Sequence, residues 1–169
     1  MLSPLKMLEM NISYDPTSFD ILISDICVED LHEVISDKLN VKYLSDSKQE
    51  HGSNIEGIIH GRFPRLICAL TVKMITKIKF VHFIVDTGSP MSYLSEDVMS
   101  AFGLFIPNTD DLINARINKN KTIVMLSPPN SHFSKMNILG TEFMKSSSVK
   151  LVIAFSNNSF MIEFPEDQD

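Results

Sequence analysis

Asp86 closes the apolar run Val81 to Val85 and opens a turn of three small residues, Thr87, Gly88 and Ser89, ahead of Pro90. The β-branched and aromatic side chains of the run favour a buried strand, and Gly88 admits backbone angles that a Cβ forbids. The strand therefore brings one carboxylate to its tip. Hydroxyls on Thr87 and Ser89 can donate to that carboxylate or to a facing loop, holding a charged group rigid in a partly dry site. A carboxylate fixed in this way can take a proton from water or give one to a carbonyl oxygen. Asp and Gly are also ordinary turn residues, so the tetrapeptide alone reads as well as a loop after a strand.

Two further motifs follow in order. Ser95 suits a helix N-cap, with Glu96 and Asp97 near the positive end of the dipole, Val98, Met99 and Phe102 as an apolar stripe and Gly103 as the stop. Farther on, Ile138-Leu139-Gly140 sets an aliphatic pair before a glycine that can open a short helix over Thr141-Glu142-Phe143-Met144. Taken singly, Ile138-Leu139-Gly140 is a buried strand ending in a turn. In this order, over roughly residues 55 to 165, the motifs resemble the retropepsin-like, single-domain aspartic proteases of retroviruses and retrotransposons.

The resemblance implies a mainly β fold, the closed β-barrel of the acid proteases with one or two short helices. It makes Asp86 the catalytic residue, Thr87 the hydroxyl that interlocks two active-site loops, and Gly88 a main-chain contact to substrate. By the same carry-over, Ser89 bonds the outer oxygen of its own aspartate, and Ile138, Leu139 and Gly140 pack beside the active-site loop. Retroviral enzymes commonly carry another acidic residue shortly after the Asp-Thr-Gly; Pro90 and Met91 stand there in this chain. The flap is expected in the hairpin around Ile117, Asn118, Lys119, Asn120 and Lys121, whose tip lacks the usual glycine. A plain surface hairpin has the same sequence signature. Terminal strands help form the dimer interface in retroviral enzymes, which would give that role to Phe160–Phe164; the alternative is a strand completing its own subunit's sheet.

Peptide hydrolysis by this chemistry needs two carboxylates sharing one proton, one acting as base and one as acid. No second Asp-Thr-Gly or Asp-Ser-Gly occurs, so the expected enzyme is a homodimer that joins two copies of Asp86, acts on polypeptides and works best below neutral pH. The other reading is a catalytically silent retropepsin-like module that dimerises or binds peptides.

Composition narrows the context. A chain of 169 residues can bury one core but is far too short for a two-lobed enzyme. A net charge of −6 and no basic stripe argue against nucleic acid as a partner. Two cysteines, Cys27 and Cys68, point to buried thiols in a reducing compartment, the cytosol, although one bridge is possible on number alone. Histidines 32, 51, 60, 82 and 132 are scattered without metal-ligand spacing, so neither metal nor cofactor is expected. No run approaches a membrane span, and the N-terminus lacks the apolar core of a secretory signal.

These motifs need strands to position them. Phe63–Met74 and Lys77–Val85 should pair as a hairpin turning near Ile75 and Thr76, its second strand leading to Asp86. Leu112–Ile117 with Thr122–Leu126, and Val149–Phe155 with Phe160–Phe164, read as two more hairpins. Upstream, Phe19–Ile23 alternates like a strand, and Leu31, Val34, Ile35 and Leu39 make one helical stripe over Val28–Leu39. The polar stretch Ser45–Asn54 reads as a linker, which divides the chain into an N-terminal β-α extension, residues 1–54, and a protease-like domain, 55–169.

Overall fold

The structure, a computed structural model, describes residue 23 and residues 25–166. The expected strand Phe19–Ile23 lies, but for Ile23, outside the described residues. In chain order the elements are α1 (Val28–His32), α2 (Val34–Leu39), β1 (Ile55–His60), β2 (Arg65–Met74), β3 (Lys77–Val85) and β4 (Ser92–Leu94). They continue with α3 (Glu96–Phe102), β5 (Ile113–Ile117), β6 (Asn120–Leu126), β7 (Ile138–Leu139), α4 (Thr141–Ser146), β8 (Lys150–Ala154) and β9 (Ser159–Glu163). The fold is mainly β with a few short helices, and no described helix is long and apolar enough to cross a membrane.

β2 and β3 form the long antiparallel hairpin on which the rest is assembled, in register from Leu66 opposite Val85 to Met74 opposite Lys77. From β3 the pairings run through β7, β4, β6 and β5 back to β2, which pairs with β3 again. β7 lies parallel to β3, with Ile84 beside Ile138 and Val85 beside Leu139. The same edge of β2 that meets β5 at Val72 and Lys73 meets β1 at Arg65–Ile67, and β9 and β8 extend outward from there. Cys68, Leu70, Val72, Val81 and Phe83 are fully buried on this hairpin, which explains a nearly continuous apolar sequence in place of strict alternation.

Five expectations change. The stripe over Val28–Leu39 is two helices, broken at Glu33. The buried Ser36 hydroxyl donates to the Leu31 carbonyl at 2.7 Å and accepts the Tyr43 N–H at 3.0 Å, an alternative to the helical ladder, and Val34 faces solvent. The polar stretch from residue 45 pairs with the sheet in part. Phe80 exchanges both backbone bonds with Leu44 and Ser45, at 2.8 and 2.9 Å, and Lys79 pairs with Asp46 at 2.7 Å. Leu31, Ile35 and Tyr43 consequently share one buried cluster with the strands. Phe160–Phe164 is no open interface edge either, because β9 is paired on both sides within the chain, leaving β8 outermost among the described strands. Both cysteines are free thiols, but against the expectation of two buried thiols only Cys68 is buried and Cys27 is exposed.

The fifth change concerns the expected flap. Asn118 and Lys119 form a two-residue hairpin turn with φ of 43° and 69°, both left-handed, as such turns require; asparagine tolerates that region well. Asn118 is buried. Its Oδ1 accepts the Thr71 N–H at 2.9 Å and the Thr71 hydroxyl at 3.0 Å, and its own N–H donates to the Thr71 carbonyl. Thr71 lies mid-strand on β2, about 16 Å along it from Leu66, which sits opposite the last residue before Asp86. The segment Ile117–Lys121 is therefore sewn to the sheet at a distance from the Asp86 turn.

Candidate active site

Phe83, Ile84 and Val85 are buried and deliver Asp86 to an exposed turn at the end of β3. The Asp86 Oδ1 accepts the Gly88 N–H at 2.8 Å, and the Ser89 N–H donates back to the Asp86 carbonyl at 3.2 Å. A carboxylate that accepts a bond from the residue two positions on has its orientation set by its own backbone. A side chain at Gly88 would begin 3.1 Å from that oxygen. Thr87 and Gly88 are exposed beside it.

The turn is seated on the second motif. The Asp86 N–H donates to the Leu139 carbonyl at 3.1 Å, and the Gly140 N–H donates to the Ser92 hydroxyl at 2.9 Å. The first amides of α4 complete the seat, with Thr141 N–H donating to the Ser89 carbonyl at 2.8 Å and Glu142 N–H to the Pro90 carbonyl at 3.0 Å. Helix N-termini leave such donors unsatisfied, and here the turn's carbonyls take them. Asp86, Ser89, Ile138, Leu139 and Gly140 are thus brought together, while Ile117–Lys121 is not.

Ser89 departs from its expected role. Its hydroxyl donates to the Met91 carbonyl at 2.8 Å, so it stiffens the turn instead of bonding the aspartate. α3 follows its sequence reading throughout. The Val98 N–H donates to the Ser95 hydroxyl at 3.4 Å, Val98, Met99 and Phe102 are buried, and Gly103 ends the helix at φ 78°.

Three residues behind the turn escaped sequence reasoning. Asn137, Tyr43 and His82 are all buried and linked, the Asn137 Nδ2 donating to the Tyr43 hydroxyl at 2.8 Å and to the His82 carbonyl at 3.1 Å. The available signal was a polar residue inside a buried apolar run, His82 within Val81–Val85 and Asn137 just before Ile138. The His82 Nε2–H donates to the Val41 carbonyl at 3.0 Å, a bond the neutral ring can make. Burial pushes the imidazole down to about 4, partly countered by its carbonyl partners.

That depression has a consequence for stability. Between pH 6.5 and 4 the unfolded chain binds a proton at His82 that the folded chain refuses, so stability conferred by the neutral ring is complete above pH 6.5 and is lost as the pH falls through that window. The loss from this residue should approach about 3 kcal/mol near pH 4. Urea unfolding at pH 7 and pH 4.5 should show it, and His82→Gln should flatten this part of the profile.

No protein-family model matches the chain, and no curated protein does. Among solved structures, a retropepsin-like aspartic protease from Rickettsia conorii is similar, at a TM-score of 0.46 and 13% identity, over 71% of this chain and 97% of that one.

Proposed function

We propose that the chain is an aspartic endopeptidase acting on polypeptides as a homodimer, two copies of Asp86 meeting across a two-fold axis. The observation that carries this reading is the Asp86 turn. It presents an exposed carboxylate at the end of a buried strand, with one oxygen held by Gly88 N–H and the whole turn seated on Leu139, Gly140 and α4. The ring of strand pairings would then be the closed barrel of the acid proteases.

In the reaction, one carboxylate takes a proton from water as the water oxygen attacks the peptide carbonyl carbon, and the protonated partner gives its proton to the carbonyl oxygen. The resulting gem-diol collapses, the C–N bond breaks and the departing nitrogen takes up a proton. A single chain supplies one such group, so the second chain completes the acid–base pair. Thr87, exposed next to Asp86, would meet its counterpart at the junction. The chemistry calls for no metal and no cofactor. The two free thiols fit a reducing compartment, and we place the chain in the cytosol.

A catalytically silent module that dimerises or binds peptides is favoured by one observation: the hairpin expected to close over substrate is tied to Thr71. Sedimentation at micromolar concentration, together with digestion of a peptide library, separates the readings. A dimer that cleaves supports the enzyme, a dimer that cleaves nothing supports the module, and a strict monomer overturns the shared site.

A further inference from the structure

The Asp86 turn is gripped from behind by a side chain that the acid–base chemistry does not use. Asn137 is 1% exposed. Its Oδ1 accepts the Ser95 N–H at 2.8 Å, its Nδ2 donates to the His82 carbonyl, and its own carbonyl accepts the Ile84 N–H at 2.9 Å. His82 and Ile84 come just before the turn and Ser95 just after it. One residue therefore brackets the whole segment that carries Asp86, and β7 adds the Leu139 carbonyl for the Asp86 N–H itself.

The second Nδ2 hydrogen goes to Tyr43, from the N-terminal segment. Tyr43 is fully buried and is itself fixed, its N–H held by the Ser36 hydroxyl and its ring 5.1 Å from that of His82 and 4.9 Å from that of His32. An amide has one acceptor end and one donor end. With the phenol oxygen and the His82 carbonyl on one side and the Ser95 N–H on the other, the Asn137 amide has one orientation that satisfies all three. Removing the phenol oxygen leaves a buried donor without its acceptor and loosens that choice.

We infer that Tyr43 and Asn137 are positioning residues for Asp86, so that the N-terminal segment acts as a built-in brace of the site. The kinetic consequence rests on the endopeptidase reading; the mechanical one does not. Tyr43→Phe tests it, because the ring and its packing are kept and only the hydroxyl is lost. In the full-length protein, amide hydrogen exchange at Ile84, Asp86 and Ser95 should quicken about tenfold relative to the amides of the β5–β6 hairpin, the size expected for one lost buried hydrogen bond. Peptide cleavage should show a similar fall in kcat with KM nearly unchanged.

Exchange that is unchanged at those three amides, or that quickens equally in the distant hairpin, overturns the brace. Local quickening with an unaltered kcat in an active enzyme overturns its link to catalysis. A wild-type chain that cleaves nothing defeats the endopeptidase reading, and the exchange measurement still decides the brace.

Discussion

Asp86→Asn should abolish peptide cleavage, by about a thousandfold or more, while leaving the fold in place. The two side chains are nearly isosteric, and the oxygen that accepts the Gly88 N–H is retained, so the turn keeps its internal bond. The backbone bonds that seat the turn on Leu139 and α4 involve no part of the altered group. Thermal unfolding should therefore shift little, within the roughly 0.5 kcal/mol of an ordinary surface substitution. What disappears is the group that takes a proton from water. A mixing experiment sharpens the result. If the site is built from one Asp86 of each chain, equal amounts of wild-type and variant protein, allowed to exchange subunits, should retain only about a quarter of the activity of all-wild-type dimers. Retention of half would mean that each chain works alone, and full activity in the variant would remove Asp86 from the chemistry.

The parts of the site that were legible in the sequence are those whose geometry is set within a few residues. The strand into Asp86, the Ser95 cap and the stop at Gly103 each depend on neighbours along the chain, and the structure has all three. The two-residue turn at Asn118 and Lys119 is local in the same sense, and the left-handed tolerance of asparagine announces it. Where that hairpin lies is another matter. Its place follows from the pairing of Ile117 with Val72 and from the Asn118 bonds to Thr71, contacts between residues 45 to 47 positions apart that no local pattern encodes. The same holds for the helix break at Glu33, where Ser36 is drawn into a bond with Tyr43 N–H, and for the polar stretch that pairs with Phe80. Residue types alone do not choose between the Asp86 carboxylate and the Met91 carbonyl as acceptor for the Ser89 hydroxyl, and the structure has the second. Composition also hides the Asn137 network, because a buried asparagine is recognisable only once its partners from three separate segments are known.

Gly140→Ala should cost about 2–4 kcal/mol of stability and most of the activity, although it adds a single methyl group. The backbone at Gly140 is extended, with φ −94° and ψ 174°, angles that any residue adopts. Conformational freedom is therefore not what the position requires. It requires space: a Cβ there would lie 2.1 Å from the Met91 carbonyl oxygen and 2.8 Å from that of Ser89. Both atoms belong to the backbone of the turn, so relief cannot come from rotating a side chain. Either α4 retreats, breaking the bonds from Thr141 and Glu142 to the Ser89 and Pro90 carbonyls, or residues 89–91 move outward and carry the Asp86 carboxylate with them. Gly103→Ala is the matching control. That glycine has φ 78°, with nothing nearer to its missing Cβ than the Lys77 Nζ at 3.8 Å, so the substitution should cost only about 1 kcal/mol of backbone strain and leave cleavage intact. Chemical denaturation and cleavage assays on the two variants separate the causes. Equal behaviour of both would mean that residues 89–91 give way to the added methyl at little cost, whereas a selective loss of activity in Gly140→Ala identifies close packing beneath the turn as what holds Asp86 where its chemistry needs it.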